Sequence, residues 1–181
     1  MKWHDFQSAA FSWNSAVALS LATALAGCGL GKQEEMTFGE DLDFLKQHTG
    51  VIVLGEIIGG PHVAVVPAYQ GRVMTSSVAG HNGPSHGWIN HDLIASGENQ
   101  PHINAFGGED RFWMGPEGGQ YSIFFKKGDP FDLDHWQTPA VIDAVPFEVL
   151  HQDKTEVSFR HKTSLKNYSD TQFDLQIDRT V

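Results

Sequence analysis

Glu109, Arg111, Trp113 and Glu117 stand within residues 107–120 among five glycines and a proline. Glycine admits backbone conformations and close approaches that a side chain forbids. Such density around charged groups marks a shaped loop that presents them to a ligand; two tight turns flanking a short solvated strand are the alternative. In an extended stretch side chains alternate, so Arg111 and Trp113 share one face while Phe112 and Met114 share the other. A guanidinium beside an indole suits a sugar: an apolar ring face to stack on and a fork of donors for hydroxyls or a carboxylate. The same pair also reads as a surface cation–π contact above a buried Phe-Met face. Glu109 and Glu117 resemble an acid–base pair in type, but eight residues of strand would hold them about 26 Å apart. Glycoside hydrolysis wants roughly 5–9.5 Å between carboxyls, which only a fold-back at Gly115 and Pro116 would supply. His102 and Asn104 lie just upstream. The catalytic candidates are therefore His102, Glu109 and Glu117, and the substrate-binding candidates are Arg111, Trp113 and Asn104.

Other chemistries find less support. Ten histidines are present, with His81, His86, His91 and His102 in the segments before the glycine-rich stretch. Neutral imidazoles with a carboxylate can ligate a metal, but none falls at the tight spacing of a metal motif. No metal and no cofactor is expected. There is no nucleophile elbow of the Gly-x-Ser-x-Gly kind and no phosphate loop. The net charge is −10 and the 12 Lys and Arg residues are scattered, so nucleic acid and anionic lipid head groups are both poor partners.

The elements that must position these groups are mostly strands. With 40% apolar and 19% charged residues, 19 glycines and 12 phenylalanines, the composition is that of a globular, β-rich chain. Thr37 and Glu40 have capping-box spacing, so residues 41–48 are predicted as one short amphipathic helix stopped at Gly50. Strands are expected over residues 51–54, 62–67 and 71–78, forming a meander. Residues 87–94 read as a strand or a single helical turn, and 121–125 as a strand. Residues 126–144 have no period and read as a long surface loop, a length often functional. Residues 147–151 and 155–162 form a hairpin by alternation, and 171–181 alternate most cleanly, with Phe173, Leu175 and Ile177 on one face. That last pattern meets the chain end without a cap, so the sequence reads as incomplete.

The N-terminus carries a different signal. Residues 15–26 are an apolar run too short to span a bilayer but suited to a signal-peptide core. It leads into Leu25, Ala26, Gly27 and Cys28, which resembles the lipobox of bacterial lipoproteins. Cys28 is the only cysteine, so an intramolecular disulfide is excluded. The resemblance implies a lipoprotein signal peptide over 1–27, acylation of Cys28, a tether over 28–36 and a domain over 37–181. Several acyl chains anchor stably, and Gly29 rather than an aspartate follows the cysteine. The expectation is an outer-membrane lipoprotein facing the periplasm or exterior, attached to the membrane through Cys28.

Two segments resemble the galactose mutarotase-like proteins. Residues 65–75 are similar to an early strand pair of that fold leading into Gly71, Arg72 and Val73. The glycine-rich stretch stands where aldose epimerases carry a sugar-site arginine followed by His-Gly-Gly. Residues 38–181 also resemble the N-terminal half of an uncharacterised bacterial lipoprotein family of that fold. The resemblance implies an antiparallel β-sandwich, here its N-terminal half, with a carbohydrate ligand. Arg111 then matches the sugar-binding arginine, and Glu117 replaces the family's histidine, a departure that bears on mutarotation itself. The histidine acid and glutamate base of mutarotases fall beyond the matching part. The functional expectation is a lipid-anchored carbohydrate-active protein, such as an epimerase, lyase or hydrolase, or a carbohydrate-binding one. A non-catalytic surface lipoprotein and an inactive fragment are the alternatives.

Overall fold

The computed structural model describes residues 36–55 and 59–181. The leader, Cys28 and all of the expected tether except Met36 lie outside the described residues. No helix among the described residues is long and apolar enough to cross a membrane.

Helix α1 (Phe38–His48) begins as its cap requires: Thr37 Oγ1 accepts from Glu40 N, while Glu40 Oε2 accepts from Thr37 N at 2.8 Å. Both halves of the capping box are present, so two amide donors that helix geometry leaves orphaned are satisfied. Phe38, Leu42 and Leu45 recur at helical spacing and are buried. The helix stops at Thr49, whose extended backbone ends it one residue before Gly50.

Strands β1 (Ile52–Leu54), β2 (His62–Val66) and β3 (Arg72–Ser77) pair in sequence order as an antiparallel sheet. This is the expected meander. Residues 91–96 settle the ambiguous stretch as a helix, α2 (His91–Ser96), because Asn90 Oδ1 accepts from Leu93 N and Gly97 closes the end with a left-handed backbone. Strands β4 (Glu148–Gln152), β5 (Val157–Lys166) and β6 (Gln172–Thr180) form a second antiparallel sheet in sequence order. His161 pairs with Ile177, Thr163 with Leu175 and Leu165 with Phe173, so the apolar residues of β6 share one face as alternation requires.

The sheets meet in one apolar core. Ile52, Leu54, Val65 and Val73 come from the first, Val157, Phe159 and Ile177 from the second, and Phe124, Phe125, Val141, Ile142 and Phe147 from the connection between them. The result is a mainly β, sandwich-like arrangement with a short N-terminal helix. Gly71 makes the approach close: its φ is 63°, and a Cβ there would lie 2.7 Å from the Phe159 ring. Burial along β6 falls away from this contact, from Ile177 at 8% exposed to Phe173 at 40%.

Residues 121–125 do not form the expected strand. Ser122 O accepts from Tyr168 N and Phe124 O from Gln137 N, while Phe124 N donates to Ser122 Oγ. These donors and acceptors serve turns rather than a ladder. Part of the apolar run there serves the core instead: Phe124 and Phe125 are buried, while Tyr121 is exposed.

Candidate functional site

The glycine-rich stretch is held by two single bridges, Ile89 to Gly107 and Val73 to Asp110, rather than by a continuous ladder. Gly107 shows why glycine is needed. Its φ is 91°, and a Cβ would stand 2.1 Å from the Trp88 carbonyl oxygen. The backbone is thereby pressed against Trp88, and two residues on Glu109 N donates to Val73 O of β3 at 2.9 Å.

Arg111 and Trp113 share a side, as alternation predicts, and touch: the guanidinium carbon lies 4.2 Å from the indole centroid. The stack continues. Trp113 lies on Phe124 at 5.1 Å between centroids and Phe124 on Trp136 at 4.5 Å, with interplanar angles of 28° and 24°. Across the cis Gly115–Pro116 bond the chain returns, and the Trp113 indole N–H donates to Glu117 Oε1 at 3.0 Å. The fold-back thus delivers Glu117 to Trp113. Glu109 instead accepts from both Ser76 N and Ser76 Oγ, tying the loop to β3.

Behind this stack lies a buried polar layer. Asp143, 3% exposed, accepts from Asn104 N at 2.8 Å and Asn104 Nδ2 at 2.7 Å through Oδ2. Arg111 Nη2 donates to Ile142 O at 3.0 Å and reaches Asp143 Oδ1 at 3.5 Å. Burial lowers the Arg111 pKa, and Asp143 opposes that shift. Arg72, 1% exposed, donates through Nη1 to Gly107 O at 2.9 Å. Burial, aided by repulsion from Arg111, brings its pKa down to about 10. His102 Nδ1 lies 2.6 Å from the Trp136 carbonyl oxygen, which can only accept, so the proton sits on Nδ1.

Five of the six candidates therefore belong to one connected structure. Asn104 orients Asp143, Asp143 holds Arg111, Arg111 covers Trp113, and Trp113 fixes Glu117; His102 fastens the backbone of Trp136. Glu109 stands apart on Ser76. Asn104 is buried and committed to Asp143, and the Trp113 ring is engaged by Arg111 and Phe124.

The stack borders a cavity of about 320 Å³ lined by Glu117, Phe125, Phe131, Asp132, Leu133 and Trp136. Phe131 and Leu133 are exposed, at 51% and 81%. Phe125 meets Phe131 and Trp136 edge-on, at 5.0 and 5.6 Å between centroids. Asp132 Oδ1 lies 2.5 Å from His135 Nδ1. That hydrogen bond holds the Asp132 pKa below and the His135 pKa above their ordinary values. The wall combines apolar ring surface with two carboxylates, at a size within the lower range of ligand sites. Sequence reasoning missed Phe124, Phe131, Asp132, Trp136 and Asp143; only the unusual length of the loop over 126–144 signalled that part of the wall. Among the described residues no group of three or more His, Cys, Asp or Glu could hold a metal.

Fold and site together define a mainly β protein of two three-stranded antiparallel sheets with an aromatic, carboxylate-bearing cavity on the connection between them. The chain belongs to the family of unknown function DUF6786, whose model matches residues 36–181. No curated protein and no solved structure matches it.

Proposed function

We propose that this chain binds a carbohydrate in the cavity beside Glu117, as a lipid-anchored protein of the cell envelope with a galactose mutarotase-like domain. The observation that carries the reading is the unbroken Arg111–Trp113–Phe124–Trp136 stack, which ends at a cavity bearing Glu117 and Asp132. Ring faces take the apolar side of a pyranose, and carboxylates accept from its hydroxyls. Arg111 and Trp113 act one layer further back than a direct platform: they set the position of Glu117 and of the stack. The resemblance of residues 65–75 and 107–120 to mutarotase-like proteins supports the same ligand class.

Titration of the chain with a panel of monosaccharides and oligosaccharides, followed by calorimetry, tests this. Binding that weakens at least tenfold in Trp136→Ala and Glu117→Gln, with folding retained, is expected; a ligand insensitive to both substitutions contradicts the site. A catalytic reading rests on a separate observation, that Glu117 and Asp132 border the same cavity. Turnover of a bound sugar that vanishes in Glu117→Gln even when the sugar is raised to saturate the weakened site would establish it.

A further inference from the structure

A second cavity, of about 190 Å³, lies on the same segment as the first. Phe125 borders both. Its rim is cationic in a chain whose net charge is −10. Lys126, Lys127 and Lys166 converge on it, with Gln137 and Asn167 adding amides and Phe124 forming part of the floor. Among the described residues the only carboxylate lining it is Asp170, which lies 3.3 Å from Lys127 Nζ and 3.7 Å from Lys166 Nζ. Lys126 has no carboxylate within ion-pair distance among the described residues. Three lysines and one aspartate line the cavity, an excess of positive charge in a chain that is acidic as a whole.

Its position is held from two sides. Tyr168 N donates to Ser122 O at 2.7 Å and Ser169 N to Gln120 O at 3.1 Å. Tyr168 Oη donates to Asp129 O at 3.2 Å. The β5–β6 turn is thereby bound to the segment carrying Glu117, Phe124 and Phe125, and Lys166 is fixed opposite Lys126 and Lys127. The volume falls below the range of whole-ligand pockets, which suits a substituent rather than a sugar ring.

We propose that this lysine-lined cavity receives the anionic substituent of a saccharide whose ring occupies the neighbouring cavity at Phe131 and Trp136. The ligand is then an acidic sugar, carrying a carboxylate or a sulfate. The inference rests on the carbohydrate reading of the first cavity and narrows it. The acidic residues of the two cavities do not oppose it. Glu117 and Asp132 lie on the hydroxyl-facing side of Phe125, and Asp132 is matched by His135. On the anion-facing side, Asp170 is outnumbered.

The test compares galactose, galacturonate and galactose sulfate by calorimetry against the full chain and two variants, Lys126→Met/Lys166→Met and Phe131→Ala. Both lysines are exposed, so the first variant should fold, and a circular dichroism melt checks it. The expected result is tighter binding of the acidic sugars than of galactose. That advantage should shrink roughly two- to thirtyfold in the lysine variant, the range for two exposed charge contacts. It should also fall with added salt, and Phe131→Ala should weaken all three ligands. The relative affinity of galacturonate and galactose sulfate tells which anion the cavity prefers. Equal binding of galactose and galacturonate, unchanged by the lysine substitutions, overturns the inference and leaves the carbohydrate reading standing. Acidic-sugar binding that needs the lysines but not Phe131 also overturns it, because the cavities then act separately. Failure of every sugar to bind overturns both.

Discussion

Asp143→Ala probes the buried layer on which the site stands. Asp143 is 3% exposed and accepts two hydrogen bonds from Asn104, at 2.7 and 2.8 Å, besides facing Arg111 at 3.5 Å. Hydrogen bonds to a charged group contribute about 1.5–3 kcal/mol each. Removing one member of a buried ion pair costs about 3–5 kcal/mol, because the partner charge is left uncompensated. Here both arguments apply. Arg111 Nε and two nitrogens of Arg72 already lack a protein partner, so losing Asp143 leaves a more strongly cationic interior. The expected loss is about 3–5 kcal/mol, at least about a fifth of the stability of a typical domain. Urea unfolding of the full chain at pH 7, followed by tryptophan fluorescence, reads it. With a slope of about 2 kcal/mol per molar, the midpoint should fall by roughly 1.5–2.5 M. Asp143→Asn retains an acceptor for Asn104 and should lose less than Asp143→Ala. A loss below about 1 kcal/mol for the alanine variant would refute the view of Asp143 as a desolvated counterion.

Three further outcomes can be measured. Gly107→Ala places a methyl 2.1 Å from a backbone carbonyl oxygen at a φ of 91°, so it should destabilise by at least about 1–3 kcal/mol; an unchanged thermal midpoint would contradict this geometry. Asp153, whose pKa is brought down to about 2 by backbone hydrogen bonds from Thr155 and Glu156, holds the β4–β5 turn. A carboxylate with a depressed folded pKa contributes stability above its unfolded value and loses it as pH falls. The stability difference between the native chain and Asp153→Asn should therefore shift against the native chain between about pH 4 and pH 2, and a difference constant across that window would contradict it. On the proposed lipid anchoring, Cys28→Ser should move the protein from the membrane to the soluble fraction of its native cell; unchanged membrane association would refute anchoring through Cys28.

What could be read in advance was what local pattern encodes. Helix α1 followed from Thr37 and Glu40, because a capping box is a contact three residues apart. Strands β5 and β6 followed from alternation, because one face is buried at their inner end. Residues 121–125 misled because a short apolar run has no period to distinguish a strand from a buried turn. The shared side of Arg111 and Trp113 was legible from spacing; their burial under other groups was not. Asp143 and Asn104 are 39 residues apart, and Trp136 meets Phe124 from within a loop without periodicity. Such partners are chosen by tertiary packing, which leaves no local mark on either residue. Arg72 shows the same limit: it sits in an ordinary strand pattern, yet is 1% exposed.

The central claim is that a carbohydrate occupies the cavity at the end of the aromatic stack. Indole N–H resonances test it most directly. Trp113 Nε1 donates to Glu117 and Trp136 Nε1 to Thr138 Oγ1 at 2.9 Å, whereas Trp88 is 64% exposed and lines neither cavity. Titrating galacturonate into nitrogen-15-labelled protein should shift the Trp113 and Trp136 indole signals together, with one saturating affinity, and leave Trp88 in place. Movement of Trp88 alone, or of no indole signal, would contradict it.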